Sequence, residues 1–203
     1  MPQFGLKLNS FMKFNIAQYD IENIGNLSIM KMNMGIMQMF TFIVTPIHKN
    51  MPLLSVDYMY ILGKRKSYIE YYDLVETKDS TYLKLLNKLD SVIKNFDYLK
   101  NVEVTPDWHY SLLTVKTFKA GKIKNDKDLH SLLENSLMEY FISAKELQNL
   151  NNKKLLQKKQ ITLEYTNGLI EKGGVSTDIF KKSLGTQATK RFFDETLFGT
   201  ANY

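Results

Sequence analysis

The chain has no cysteine in its 203 residues, and that absence removes several chemistries at once. Disulfides, thiolate nucleophiles, cysteine-ligated zinc and iron–sulfur clusters held by the chain's own side chains are excluded, so any redox centre must come from outside. Proline is scarce too, at four, and with 44% hydrophobic and 24% charged residues the composition is that of an ordered globular protein rather than a tail or linker. No run of about 18 uncharged apolar residues occurs, so no membrane span is expected. The opening stretch "MPQFGLKLNSFMKFNIAQYDIENIG" lacks the basic region, apolar block and small-residue cleavage site of a secretory signal, which predicts a soluble, intracellular protein. Glycine-rich nucleotide loops are missing as well: no GxGxxG follows a strand, and "EKGGV" is a local glycine pair. The three histidines, His48, His109 and His130, lie far apart with no second ligand at metal spacing, so no metal site is expected and each reads as a surface or core residue. His109, in "PDWHYS", draws most notice, but no triad surrounds it.

What the chain does have is a basic surplus and a strand-rich first half. Twenty-seven Lys and Arg against 21 Asp and Glu give a net charge of +6, which favours an acidic partner: nucleic acid, an acidic protein or a carboxylated small molecule. "NLSIMKMNMG" (26 to 35) alternates apolar and polar residues, and "IMQMFTFIVTP" (36 to 46) is a richer apolar run ended by Pro46, with Gly35 at the turn. A second hairpin follows, "LLSVDYMYI" then "KSYIEYYDLV", around "LGKRK". Four consecutive strands predict an antiparallel meander. The methionines Met30, Met32, Met34, Met37 and Met39 read as core filling in preference to a soft ligand-binding wall.

Residues 80 to 99 place Tyr82, Leu85, Leu86, Leu89, Ile93 and Phe96 at helical spacing, with Ser80 or Asp79 as N-cap. "WHYSLLTVKTFKAG" (108 to 121) returns to strand character, and residues 125 to 150 carry the longest helical stripe. The basic run "NNKKLLQKKQ" (151 to 160) could continue a helix or form an exposed connection. Two short helical patterns close the chain, the first ended by Leu184 and Gly185, the second capped by Thr186. Strands first, helices between and after, predict an α+β fold with a helix-covered sheet in one domain spanning residues 1 to 203. Nucleic-acid binding through "KRKSYIEYYD" is disfavoured, because Glu70 and Asp73 among the tyrosines would repel phosphate and no ribonucleoprotein consensus is present.

One residue breaks the strand pattern. Asp57 lies in the middle of an apolar strand between Val56 and Tyr58; taken alone, it reads as a solvent-facing acid. The stretch "GIMQMFTFIVTPIHKNMPLLSVDYMYILGKRKSYIEYYDL", however, resembles the centre of the ferredoxin-dependent bilin reductases, where an apolar strand ends in Pro, a loop leads to an "LPxFGxDx" strand, and a hairpin returns through a strand ending "DL" or "DF". Pro46, Met51, Pro52, Leu54, Ser55, Asp57, Asp73 and Leu74 occupy those positions. "PDWHYSLLTVKTF" and the closing "VSTDIFKKSLGTQATKRFFDETLFG" are similar to later parts of the family pattern, in the same order, over about residues 27 to 199.

The resemblance implies a three-layer α/β/α sandwich with a central antiparallel sheet flanked by helices, and a linear tetrapyrrole of the biliverdin type bound between sheet and C-terminal helices. It implies an oxidoreductase without bound flavin or metal, in which reduced ferredoxin docks on a basic face and supplies single electrons while the protein supplies protons. Asp57 matches the family's central proton donor; an aspartate facing an apolar pocket has a raised pKa because burial disfavours its charged form. Thr41, Ser55 and Gly174 fall at substrate-facing positions of the pattern, and two of them depart from it: Thr41 stands where many members have His or Asn, and Gly174 where several have a second catalytic aspartate. The expectation is therefore a monomer, in a plastid stroma or cytoplasm, performing one two-electron reduction with Asp57 working largely alone. A tetrapyrrole-binding protein with little reductase activity, or a basic interaction module without tetrapyrrole, are the alternatives.

Overall fold

The computed structural model describes residues 3–9 and 12–202. Its body is one sheet of seven strands in sequence order: β1 (Gln3–Asn9), β2 (Met12–Ile21), β3 (Gly25–Asn33), β4 (Met37–Pro46), β5 (Leu53–Ile61), β6 (Lys64–Tyr72) and β7 (Leu113–Lys122). Every neighbouring pair is antiparallel. The predicted four-stranded meander is thus the middle of a larger one. At the tip of the β5–β6 hairpin, Leu62 and Gly63 both adopt positive φ (47° and 77°), a two-residue turn whose twist suits the flanking strands and fixes their register.

Side chains alternate across a strand, so the sheet sorts its residues onto two faces. Leu54, Val56 and Tyr58 of β5, with Ile69 and Tyr71 of β6, pack under α1 (Ser80–Lys94) and α2 (Asp126–Glu146). The helical stripe of α1 is buried as its spacing predicts, and Asp79 caps it by accepting a hydrogen bond from the Tyr82 amide at 2.9 Å. On the opposite face, Phe14, Ile16, Met30, Met32, Met39, Ile43 and Leu53 meet α3 (Asn152–Lys172), α4 (Val175–Leu184) and the turn beyond α5 (Thr186–Phe192). Met30, Met32 and Met39 are buried, in keeping with the core-filling reading. The result is the expected α/β/α three-layer sandwich.

Three local expectations change. Trp108–Leu112 is a 3-10 helix rather than strand, because the Asp107 side chain accepts from the Trp108 amide at 2.6 Å and starts a turn; β7 begins only at Leu113. The basic run from residue 151 is neither a connection nor an extension of α2: Asn151 caps a separate helix by accepting from the Lys154 amide at 3.0 Å. Gly185, with φ of 82°, both closes α4 and starts α5, so Thr186 does not act as cap. No helix among the described residues is long and apolar enough to cross a membrane.

Candidate functional site

Asp57 belongs to the second face. Within β5 it shares parity with Leu53, Ser55 and Met59, so it points toward α3–α5 and away from the α1–α2 layer. Cross-strand pairing sets Thr41 of β4 on one side of it and Tyr68 of β6 on the other, in a row that continues to Met30 and Phe118. The Thr41 hydroxyl donates to Asp57 Oδ1 at 2.5 Å. Burial raises the Asp57 pKa, and the Thr41 bond, which favours the carboxylate, offsets part of that rise. Asp57 is deep among protein atoms yet keeps some accessible surface. With Oδ1 engaged by Thr41, Oδ2 is the oxygen left to carry a proton.

Ser55 lies on the same face one step along β5, between Ile43 and Glu70. Gly174 does not join them. It precedes α4, where a side chain on it would meet Asp107 Oδ2 at 3.9 Å and no other atom beyond its immediate neighbours within 4 Å. Of the four residues singled out from sequence, the structure gathers Asp57, Thr41 and Ser55 and leaves Gly174 at the rim.

It also brings in residues that the sequence did not place beside Asp57. Glu70 of β6 faces the same side as Asp57, and burial together with the Asp57 charge pushes its pKa up to about 7, against the opposing influence of Tyr72 and Lys116. The Tyr72 hydroxyl donates to Glu70 Oε2 at 3.1 Å and lies 3.4 Å from His109 Nδ1. Burial is also the main cause that lowers the His109 pKa. Tyr165 of α3 packs on Tyr72 with ring centroids 4.9 Å apart. The 3-10 segment carrying His109 is held in place by Trp108, whose Nε1 donates to the Gly173 carbonyl at 3.2 Å and whose ring lies against Gly168. Glu70 was legible in principle: the tight turn at Leu62–Gly63 pairs Ser55 with Glu70, and same-face residues lie two apart.

Among the described residues no group of three or more His, Asp or Glu side chains is placed to hold a metal ion. What the site can do is hold protons: two carboxyls on one face, both biased by burial toward the neutral acid, beneath a layer of aromatic and apolar side chains.

An antiparallel sheet between two helical layers has a counterpart among solved structures. The particular likeness is to a crystal structure of selenomethionine phytochromobilin synthase from tomato in complex with biliverdin, with a TM-score of 0.74 over 95% of this chain and 71% of that one, at 12% identity. Identity that low establishes a shared fold and leaves the chemistry to be argued from this chain's residues. No family model matches the sequence, and no curated protein matches it.

Proposed function

We propose that this chain, as a single-domain monomer, reduces a linear tetrapyrrole of the biliverdin type, with electrons delivered one at a time by reduced ferredoxin and Asp57 as proton donor. The observation that carries the reading is the Asp57 carboxyl: central in the sheet, on the face covered by the C-terminal helices, and biased by burial toward the protonated form. In the shared fold, the tomato enzyme was crystallised with biliverdin. The net charge of +6 suits docking of an acidic electron donor.

Each turnover adds two electrons and two protons to the ligand. After the first electron arrives, the tetrapyrrole radical is more basic than the parent; Asp57 Oδ2 gives it a proton, and the remaining carboxylate is steadied by the Thr41 hydroxyl. Ser55, beside Asp57 on the same face, contributes a hydroxyl to ligand binding; Gly174, at the rim near Asp107, leaves room there. The test starts with biliverdin added to the protein, expecting a perturbed visible absorbance, followed by photoreduced ferredoxin. Asp57→Asn should keep the binding spectrum and lose turnover by roughly 100-fold or more. Equal turnover by Asp57→Asn and wild type would overturn the donor assignment. Binding without turnover by wild type would favour a tetrapyrrole carrier, and no binding at all would remove the tetrapyrrole reading.

A further inference from the structure

We propose that Glu70 is a second proton donor on this face, reloaded from solvent through Tyr72 and His109. The inference rests on the reductase reading of the same face and supplies what that reading lacks, a source for the second proton when Thr41 and Gly174 stand at the positions where acid–base partners were expected.

Glu70 is the cross-strand partner of Ser55, and Asp57 is the partner of Tyr68, so the two carboxyls are diagonal neighbours across the β5–β6 pair. The backbones of diagonal neighbours on one face are about 7–8 Å apart, a suitable spacing to address two points of one flat ligand. The groups facing Glu70 are Asp57 from β5, Lys116 from β7, Tyr165 from α3, His109 from the 3-10 segment, and Tyr68 and Tyr72 from its own strand. Lys116 Nζ is occupied by the Leu113 carbonyl at 3.0 Å and the Tyr110 ring at 4.4 Å, so it does not clamp Glu70 in an ion pair. With a pKa near 7, Glu70 can both take and give a proton at neutrality.

The route outward is continuous. Tyr72 is buried and donates to Glu70 Oε2 at 3.1 Å; its oxygen lies 3.4 Å from His109 Nδ1; His109 Nε2 is 3.9 Å from Asp107 Oδ2, and the Asp107 side chain is 48% exposed. A neutral His109 protonated on Nδ1 donates to the Tyr72 oxygen and presents Nε2 to the rim. After the second electron arrives from reduced ferredoxin, Glu70 gives its proton to the ligand and becomes a carboxylate. Tyr72 then passes its hydroxyl proton to Glu70 while receiving one from His109 Nδ1, and Nε2 takes a proton from solvent beside Asp107. Electrons and protons balance at two each, one proton from Asp57 and one from Glu70.

The experiment follows biliverdin reduction by photoreduced ferredoxin in wild type, Glu70→Gln, Glu70→Asp and Tyr72→Phe, with the one-electron-reduced radical monitored by absorbance and electron paramagnetic resonance. Glu70→Gln should bind biliverdin within about threefold of wild type and form the radical normally, but the radical should decay roughly 100-fold more slowly. Glu70→Asp should restore part of that rate. Tyr72→Phe should complete a first turnover and slow the following ones. In wild type the decay should weaken as pH rises through about 7, a limb missing from Glu70→Gln. Separately, in the protein without ligand, carbon-13 resonances of glutamate carboxyls should include one that titrates near pH 7 and vanishes in Glu70→Gln. Radical decay in Glu70→Gln at the wild-type rate with the pH limb intact overturns the proposal while the Asp57 reading stands. Absence of the titrating resonance overturns it whether or not biliverdin is a substrate, and a wild type that binds biliverdin but never reduces it overturns both readings.

Discussion

The two faces of the sheet are made from alternate residues of the same strands, yet they are different materials. Toward α1 and α2, the strands present Leu54, Val56, Ile69 and Val115, and two helix tyrosines there have ordinary structural partners: Tyr140 donates to the Pro52 carbonyl at 2.7 Å and Tyr82 to Asp73 Oδ1 at 2.6 Å. Toward α3–α5 the same strands present Thr41, Asp57, Tyr68, Glu70 and Tyr72 amid methionine and phenylalanine. Moving one residue along β5 crosses from a closed apolar layer to a face with two carboxyls whose pKa values burial raises. The teaching is that stability and chemistry are separated by strand parity, so each can be perturbed with limited effect on the other.

The largest effect should come from the closed face. Leu89, on the inner side of α1, is fully buried, and Leu89→Ala should cost about 2–5 kcal/mol in urea unfolding through lost burial and a residual cavity. In the protein that remains folded, the biliverdin spectrum and the Glu70 titration should match wild type; a shifted Glu70 pKa would mean the faces are coupled. A smaller effect is expected where the second face is held together. A Cβ on Gly168 would lie 2.6 Å from Trp108 Cη2, so in Gly168→Ala the 3-10 segment and α3 must separate, and displacement of the Trp108 ring is the expected route. The expected loss is about 1–3 kcal/mol. Trp108 is the single tryptophan, so its emission should shift as the ring moves, and His109 should leave Tyr72. Unchanged emission would show that α3 yields instead.

The same contrast governs what the sequence discloses. The β3–β4 and β5–β6 hairpins and α1 are legible because apolar periodicity is strong where both partners of a contact are apolar; α1 buries Tyr82, Leu85, Leu86, Leu89 and Ile93 as their spacing predicts. Helix α3 is hard to see for a physical reason: its buried side mixes Lys158, Thr162, Thr166 and Gly168 with Tyr165, Leu169 and Ile170, so its first turns leave little hydrophobic stripe. The first two strands are short-range patterns without a strong turn signal; Phe14 and Ile16 of β2 alternate inward, but too briefly to stand out. Asp57 was found through a family resemblance, whereas Glu70 needed the hairpin register to reveal that it shares a face with Asp57. His109 needed the turn started by Asp107, which periodicity does not encode.

The smallest predicted effects are proton linkages, and they sharpen the comparison because the two carboxyls raised by burial, Asp57 and Glu70, belong to the second face. Glu70 is raised from an ordinary 4.5 to about 7, so between those values the folded protein holds a proton that the unfolded chain has released. Stability must therefore fall as pH rises across that window, by at most about 1.4 kcal/mol per pH unit for one group. Asp57, also raised, adds a fall of the same sign beginning near its ordinary 3.8. His109, lowered from 6.5, works the other way below that pH, which is why the measurement should be a difference between wild type and Glu70→Gln. Lys158 of α3 provides the opposite limb. It is buried, donates to the Met51 carbonyl at 2.8 Å and the Leu74 carbonyl at 3.3 Å, and burial lowers it from 10.5 to about 7. From pH 7 to 10.5 the unfolded chain holds the proton that the folded protein lacks, so stability should rise with pH there, and Lys158→Met should remove that rise. Urea unfolding from pH 4 to 10 should thus give a wild-type-minus-Glu70→Gln difference that falls up to about 7 and then stays flat. Parallel curves throughout would mean that Glu70 is ionised like a surface acid, and burial would then raise one carboxyl of the second face in place of two.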